Sequence, residues 1–206
     1  MVEWSIDAFR ACDSVRSIVV AAPPGYVHDL GGHDLTVAPG RATRAQSVAN
    51  ALAAVDTELV AIHDAARPLL APALVDQLVA SLDADPQASG AIAAGPVTDT
   101  IKRVVGPESR AKTALTTQDG ANAVLVVEGT VDRRTLWAAQ TPQVFRAEAL
   151  REALAVDAEA RDAATDEAML VEAAGGTVLL HPSGPENLKV TTPHDLRIAE
   201  LLLSER

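Results

Sequence analysis

The most suggestive polar residues of the chain follow a short apolar run, Glu58 to Ile62, which predicts a buried strand. The run continues into His63-Asp64-Ala65-Ala66-Arg67-Pro68, so a carboxylate and a guanidinium stand three residues apart at the strand end. Such a pair can hold a metal ion and a phosphate side by side. The spacing equally fits an Asp that caps a helix and an Arg on the surface. His63, alone beside an apolar strand, is more often structural.

Three further segments carry polar residues at places where ligands bind in open α/β sheets, beyond the carboxyl ends of strands. In Val97 to Arg103 the threonine hydroxyls suit a phosphate or a sugar, or an ordinary turn. The second segment runs from Thr130-Val131-Asp132-Arg133 to Gln140-Thr141-Pro142-Gln143. In the third, Asn187 to Thr191, Lys189 stands between apolar residues, and a bound phosphate would offset the cost of desolvating its ammonium group.

The elements that must position these residues alternate along the chain. Short runs of Val, Ile and Ala alternate with segments of helical apolar spacing, which is typical of a mostly parallel sheet with helices on both faces. The predicted strands are Arg16 to Ala22, Glu58 to Ile62, Ser89 to Val97 and Thr177 to His181. The predicted helices are Thr43 to Val55 with Thr43 and Gln46 as a capping-box pair, Pro72 to Leu82, Arg146 to Val156, Asp166 to Ala174, and one capped by Thr192. We therefore predict one α/β domain over residues 1–206.

A protruding β-arm is predicted at about residues 100–130, within that domain. Thr100 to Val105 and Ala123 to Glu128 are β-rich and flank the segment Gly106 to Asn122. That segment is polar, lacks apolar periodicity and is long for a hairpin loop, so we interpret it as an insertion.

Composition limits the classes of function. The chain has 206 residues, 48% of them hydrophobic but only 2% aromatic, so the core must consist of small aliphatic side chains. A formal net charge of −11 argues against non-specific binding to nucleic acid, and a phosphate ligand therefore needs basic residues placed locally. The single cysteine, Cys12, excludes a disulfide within the chain, fits a reducing compartment and is interpreted as a small buried residue of a helix.

The segment Met1-Val2-Glu3-Trp4 has no basic n-region of a secretion signal. No apolar run reaches the roughly 18 residues that a membrane span needs. We therefore predict a soluble, cytoplasmic protein.

Five segments occur in a fixed order: His63 to Pro68, Val97 to Arg103, Thr141 to Gln143, Thr165 to Ala168, and Asn187 to Thr191. This set closely resembles the 2-C-methyl-D-erythritol 4-phosphate cytidylyltransferase family of the non-mevalonate isoprenoid pathway, and the resemblance extends from Glu3 over nearly the whole chain. It implies a Rossmann-like fold and a homodimer joined by the β-arm. The implied reaction transfers CMP from CTP to 2-C-methyl-D-erythritol 4-phosphate with release of pyrophosphate, assisted by Mg²⁺.

The resemblance also implies roles for individual positions. Asp64 would bind the metal and the nucleotide, and Lys189 would stabilise phosphate charge in the transition state. Ser47 and Ala65 would contact the nucleotide as well. The remaining implied positions bind the acceptor substrate, three from one chain and two from its dimer partner: Arg67, Thr141 and Thr165, and Thr100 and Arg133.

The sequence departs from the family at its start. The family has a first strand, a loop Ala-Ala-Gly-x-Gly-x-Arg-Met and a Pro-Lys pair, whereas this sequence opens at the following helix with Glu3-Trp4-Ser5. Because that strand is central in the fold, we expect two neighbouring strands with unpaired edges. Because one preorganised donor is worth about 100- to 1,000-fold in rate, we expect the 206 residues by themselves to turn over CTP poorly. We favour a mis-assigned or truncated start over a degenerate relative, because the later motifs are intact. Arg41 stands where the family usually has a glycine beside the base.

Two alternative functions remain open from the sequence. A cytidylyltransferase for another polyol phosphate, such as ribitol 5-phosphate, would differ around Thr141 and Thr165. A non-catalytic chain that dimerises or binds a partner through the arm is favoured by the missing loop. Four retained residues oppose that second alternative: Asp64, Arg67, Arg133 and Lys189.

Overall fold

The computed structural model describes residues 1–23, 25–26, 35–105 and 126–205. These residues form two compact units, the first from Met1–Gly95 with Ala139–Arg206 and the second from Pro96–Ala138. The second unit contains the predicted β-arm. The predicted insertion Gly106 to Asn122, and residues 123–125 of the second arm, lie outside the described residues. The assignment of the whole chain to one domain stays a prediction.

The described chain contains both helices and strands. The helices are α1 (Val2–Arg10), α2 (Arg44–Leu52), α3 (Pro72–Ala84), α4 (Ala147–Leu154), α5 (Ala158–Ala163), α6 (Glu167–Ala173) and α7 (Pro193–Ser204). The strands are β1 (Ile18–Ala22), β2 (Leu35–Pro39), β3 (Leu59–Ile62), β4 (Gly90–Pro96), β5 (Lys102–Val105), β6 (Val126–Thr130), β7 (Trp137–Arg146) and β8 (Val178–Pro182). A 3₁₀ turn at Arg133–Thr135 precedes β7.

The strands form three sheets. The largest has the order β3-β7-β4-β8, with β4 and β8 parallel and β3 and β7 antiparallel. β1 and β2 form a separate parallel pair, and β5 and β6 form the antiparallel arm of the second unit. The predicted α/β class is therefore confirmed. The antiparallel strand β7 is the exception to the parallel pattern that the sequence predicts.

Helices cover both faces of the four-stranded sheet, as predicted. Ala91 and Ala93 of β4 and Val144 of β7 pack against α3 on one face. Ile92 and Phe145, the alternating neighbours in the same strands, pack against α4 and α6 on the other face. Side chains that alternate along a strand point to opposite faces, so each strand contributes to two separate cores. The scarcity of aromatic residues leaves these cores to Ala, Val and Leu, with Phe145 as a fully buried exception.

Six of the eight described strands have a hydrogen-bonded neighbour on one side only, and β1 and β3 are among them. β1 pairs with β2, and β3 pairs with β7. All four residues of β3 are only partly buried, in contrast to the fully buried first residues of β4. Since four other described strands also lack a second neighbour, the expectation of two unpaired neighbouring edges stays a prediction. A further strand between them stays a prediction.

Several elements differ from the sequence-based prediction. Thr43 accepts a hydrogen bond from the Gln46 backbone, but the Gln46 side chain donates to Asp162 at 2.7 Å and does not close a capping box. The capping box predicted at Thr192 is present, with Asp195 as its partner. The sequence analysis did not predict α5, β2 or β7.

The environment of Cys12 bears out its interpretation as a buried residue. It lies just beyond the end of α1 rather than inside a helix, and it is 6% exposed. Burial raises the pKa of its thiol to about 11, and Asp76 and Asp13 add to that shift. Among the described residues, no helix has the length and apolar character needed to cross a membrane.

A substitution at Gly90 tests the packing of the sheet against α4. A Cβ atom at Gly90 would overlap the ring of the buried Phe145. Gly90→Ala should therefore lower the free energy of unfolding by about 1–3 kcal/mol, the usual cost of overpacking. Chemical denaturation measures the effect.

Gly129→Ala in β6 is the matched control, because a Cβ there meets nothing within 4 Å. It should change the free energy of unfolding by no more than about 0.5 kcal/mol. Phe145→Leu should also lower the free energy of unfolding by less in the Gly90→Ala background than in the wild type. Equal effects of the two alanine substitutions would contradict the packing described for Gly90.

Candidate active site at the end of strand β3

The carboxylate of Asp64 lies two residues beyond β3 and is held by two cationic side chains. Its Oδ2 accepts a hydrogen bond from Lys189 Nζ at 2.7 Å, and its Oδ1 accepts one from Arg44 Nε at 3.2 Å. The Asp64 side chain is 16% exposed and that of Lys189 is 45% exposed. Burial alone would raise the pKa of Asp64, but the hydrogen bonds and charges of Lys189 and Arg44 hold that pKa below its ordinary value. Asp64 is thus an ionised carboxylate beside a cation that solvent reaches.

Arg44 connects this carboxylate to a second one, on Glu167. The Arg44 NH1 group donates to both carboxylate oxygens of Glu167, at 2.6 and 2.5 Å. Glu167 is 1% exposed and belongs to the first turn of α6, directly after its N-cap Asp166. A buried carboxylate needs such a partner, because leaving it uncompensated would be strongly destabilising. Two carboxylates and two cations therefore form one chain of contacts from α6 to Lys189.

The backbone of Asp64 is fixed by Thr141 and His63. Thr141 Oγ1 accepts the Asp64 N–H at 3.0 Å and lies 3.2 Å from His63 Nδ1, while His63 Nε2 lies 3.1 Å from the carbonyl oxygen of Arg67. Because that oxygen can only accept, these contacts assign the neutral His63 tautomer with its hydrogen on Nε2. Burial lowers the pKa of His63 to about 4, which agrees with a neutral ring. The structural interpretation of His63 is confirmed.

The segment that carries Lys189 is attached to the same turn. The Val190 N–H donates to the carbonyl oxygen of Ala66 at 2.7 Å. Asn187, 5% exposed, donates from Nδ2 to the Thr141 carbonyl oxygen at 2.9 Å, and its own carbonyl accepts from Arg67 NH1 at 2.6 Å. The motifs that follow β3 and β8, together with the middle of β7, are thus one hydrogen-bonded unit.

The environment of Arg67 differs from that of an exposed arginine that binds a phosphate. It is 8% exposed, and burial lowers the pKa of its guanidinium while the Asp64 charge acts against that shift. Its Nε is buried and has no hydrogen-bond partner among the described residues. The structure therefore places Arg67 under the turn at the end of β3, and its binding of a substrate phosphate stays a prediction.

The other predicted nucleotide and acceptor positions surround this turn. Ser47, in the first turns of α2, accepts from the Arg41 N–H at 2.8 Å and donates to the Thr43 carbonyl at 2.9 Å. Ala65 is exposed in the turn itself, and Thr165 is exposed just before the N-cap of α6. Their contacts with substrates stay predictions.

Two predicted acceptor residues belong to the second unit. Thr100 is exposed in the segment between β4 and β5. Arg133 opens the 3₁₀ turn before β7, and its NH1 donates to the Thr98 carbonyl oxygen. The structure therefore groups Asp64, Lys189 and Thr141 in the first unit, and it groups Thr100 and Arg133 separately in the second.

Sequence reasoning missed Arg44 and Glu167, although both stand inside segments that it singled out. The sequence did contain an indication that Glu167 is buried. A carboxylate there begins a predicted helix and is followed directly by the apolar residues 168–171. No spacing pattern links it to Arg44, because the two residues are 123 positions apart.

A divalent metal ion fits the Asp64 carboxylate only in company with other ligands. Among the described residues, no group of three or more His, Cys, Asp or Glu side chains is arranged to hold a metal. Mg²⁺ is commonly held by one or two protein carboxylates together with substrate phosphates and waters. The donor set at Asp64 is therefore compatible with a Mg²⁺ ion that a phosphorylated substrate also binds, and not with a metal held by the protein alone.

Comparison with known proteins finds one family. The model of the 2-C-methyl-D-erythritol 4-phosphate cytidylyltransferase family matches residues 1–205. A bifunctional enzyme IspD/IspF of Anaeromyxobacter dehalogenans is 44% identical over 206 residues, covering 97% of this chain and 49% of that protein. A 2-C-methyl-D-erythritol 4-phosphate cytidylyltransferase of Acidobacterium capsulatum is 36% identical, over 98% of this chain and 82% of that protein.

The chain thus spans about half the length of the bifunctional relatives. Among solved structures, the 2-C-methyl-D-erythritol 4-phosphate cytidylyltransferase of Thermus thermophilus superposes with a TM-score of 0.76 at 32% identity. The match covers 98% of this chain and 88% of that one, so the likeness extends over the fold and not over one motif.

A substitution at Thr141 tests how the turn after β3 is held. Thr141→Val keeps the branched shape but removes the hydroxyl that accepts the Asp64 N–H. An unsatisfied buried donor should lower the free energy of unfolding by about 1–3 kcal/mol. The Asp64 amide should also exchange its hydrogen faster, which NMR measures directly.

Thr141→Ser keeps the hydroxyl and is the matched control. The Asp64 amide should stay protected from hydrogen exchange in this variant, even if the loss of the methyl group lowers the free energy of unfolding. Equal exchange rates of that amide in the two variants would show that the hydroxyl does not hold the turn.

Proposed function

The chain belongs to the 2-C-methyl-D-erythritol 4-phosphate cytidylyltransferase family, and on that premise we propose that it transfers the cytidylyl group of CTP to 2-C-methyl-D-erythritol 4-phosphate. An oxygen of the acceptor phosphate attacks the α-phosphorus of CTP, and the bond to the bridging oxygen of pyrophosphate breaks. No proton needs to move in that exchange. The observation that supports it most is the ionised Asp64 between Lys189 and Arg44. We place this reaction in the cytoplasm, as the sequence predicts.

Lys189 is the residue best suited to meet the charge that develops during this transfer. Its ammonium group is partly exposed, and its hydrogen bond to Asp64 Oδ2 keeps it at the site before substrate binds. Catalysis of phosphoryl-type transfer rests mainly on positioning and charge stabilisation, so a preplaced cation contributes directly. Lys189 therefore acts on the α-phosphate.

Asp64 is the residue that would hold Mg²⁺. When bound, the ion supplies charge neutralisation for the phosphates of the nucleotide. Asp64 offers it an ionised oxygen at a fixed place, since the Thr141 hydroxyl holds the backbone of this residue. Ser47 and Ala65 contact the nucleoside in this proposal, and Ser47 also holds the Arg41 backbone.

The acceptor is bound by residues of two chains in this proposal. Arg67, Thr141 and Thr165 belong to one chain of a homodimer. Thr100 and Arg133 belong to the arm of the partner chain, which is joined through β5 and β6. The arm carries partly exposed Val104 and Val127, apolar side chains that a dimer contact would cover.

Acceptor identity is tested on the full natural polypeptide that contains these residues. Pyrophosphate release is measured with CTP and Mg²⁺, and with 2-C-methyl-D-erythritol 4-phosphate or ribitol 5-phosphate in separate reactions. The proposal requires faster release with the methylerythritol phosphate. Faster release with ribitol 5-phosphate would contradict the acceptor, and no release with either would contradict the transferase.

The role of Asp64 is tested by Asp64→Asn, which keeps the shape and removes the charge that attracts Mg²⁺. The variant should fold but lose most of its metal-dependent pyrophosphate release. Asp83→Asn, at an exposed position of α3, is the control and should keep wild-type activity. Full activity of Asp64→Asn at limiting Mg²⁺ would leave Asp64 with a structural role only.

The shared site is tested by mixing two inactive variants, Lys189→Ala and Arg133→Ala. A mixed dimer has one site with both lesions and one site with neither, if Arg133 serves the partner's site. Random mixing of equal amounts makes about half of the dimers mixed, so roughly a quarter of wild-type activity should return. Activity of the co-refolded mixture is compared with each variant alone. No recovery, with mixed dimers verified by mass spectrometry, would place Arg133 in its own chain's site or outside any site.

A further inference from the structure

The two oxygens of the Asp64 carboxylate have different partners. Oδ2 faces Lys189, whose side chain is 45% exposed, whereas Oδ1 faces Arg44. Arg44 is held on its other side by Glu167, through two contacts from one NH1 group. One guanidinium therefore bridges two carboxylates, using Nε for the first and NH1 for the second. This leaves Oδ2 as the oxygen of Asp64 that is open to exchange its partner.

The position of Glu167 is set by the core and not by the site. Glu167 opens α6, whose Ala168, Leu170 and Val171 pack in the core on that face of the sheet. The N-terminal end of a helix favours a negative charge, which suits a carboxylate that faces Arg44 at this place. Since it is 1% exposed, its carboxylate cannot swing into solvent and release Arg44.

We propose that Arg44, held by Glu167, is a positioning residue that fixes the Asp64 carboxylate so that Oδ2 alone is presented to substrate-bound metal. This rests on the proposed function, in which Asp64 holds the metal ion. Glu167 has a second effect, because its charge offsets that of Arg44. Without that compensation Arg44 would attract Asp64 more strongly and compete with a cation for it.

The first test removes the charge of Glu167 and keeps its shape. Mn²⁺ serves as the probe, and its binding to the full natural polypeptide with CTP and no acceptor is followed by electron paramagnetic resonance. Glu167→Gln should raise the Mn²⁺ dissociation constant about 10-fold or more, as changes to groups behind a metal ligand commonly do. Glu148→Gln, on the exposed side of α4, removes a carboxylate that pairs with Arg151 and should change nothing.

The second test removes both members of the Arg44–Glu167 pair, of which Glu167 is buried and the Arg44 side chain is 37% exposed. Arg44→Met/Glu167→Met leaves no uncompensated buried carboxylate, so the fold should survive, as replacing both members of an ion pair by apolar residues often allows. Without Arg44 the Asp64 carboxylate can rotate, and kcat should fall about 10- to 100-fold at saturating Mg²⁺ and CTP. The matched surface variant Glu148→Met/Arg151→Met should keep the wild-type kcat.

The outcomes separate this inference from the proposed function. If Glu167→Gln keeps the wild-type dissociation constant within about twofold, Arg44 and Glu167 are a structural ion pair and the inference is wrong. If the double variant folds and keeps its kcat, the inference is also wrong, and if it does not fold, Glu167→Gln decides alone. If instead Asp64→Asn binds Mn²⁺ with CTP as well as the wild type does, the metal role of Asp64 fails and this inference with it, whereas pyrophosphate release by the wild type still decides the transferase.

Discussion

The structure depends on keeping one carboxylate ionised at the end of β3. Asp64 is only 16% exposed, and removing a charge from water is costly unless opposite charges and hydrogen bonds compensate it. Lys189 from the segment after β8 and Arg44 from α2 supply that compensation. Three distant parts of the chain must therefore meet at the two carboxylate oxygens of Asp64. The pairing of the strands and the packing of α2 and α6 on one core are what bring them together.

Strand β7 connects the four-stranded sheet to the site. It lies between β3 and β4, and its Thr141 holds both the Asp64 backbone and, through its carbonyl, the Asn187 side chain. Asn187 in turn accepts from Arg67, so the turn after β3 and the segment after β8 are joined through buried atoms. Two buried atoms of this network, Arg67 Nε and Asn187 Oδ1, have no hydrogen-bond partner among the described residues, so the geometry depends on the contacts that are made. Those contacts make Thr141 and Asn187 as important for geometry as Lys189 is for charge.

Local patterns in the sequence predicted the elements that have a simple period, and they predicted Asp64 and Lys189 from their places after strands. They failed where two distant segments decide the outcome. Pro142 argues against a central strand, because proline lacks a ladder donor, yet β7 lies inside the sheet. The contact between Arg44 and Glu167 was not predicted either, because two residues 123 positions apart show no recognisable spacing in the sequence. The burial of Arg67 could not be predicted either, because the sequence does not show that the carbonyl oxygen of Asn187 accepts a hydrogen bond from its guanidinium.

Charge balance sets a condition for binding the proposed triphosphate substrate at this place. The formal net charge is −11, and the four linked side chains at the site, Asp64, Glu167, Arg44 and Lys189, cancel one another. A triphosphate brings further negative charge that this neutral group cannot offset without rearrangement. Arg44 is committed to the buried Glu167, whereas Lys189 is partly exposed and bound only through Oδ2. In the proposed reaction Asp64 Oδ2 would hold the divalent cation, and Lys189, whose only ammonium contact among the described residues is that oxygen, would then be available to the phosphates.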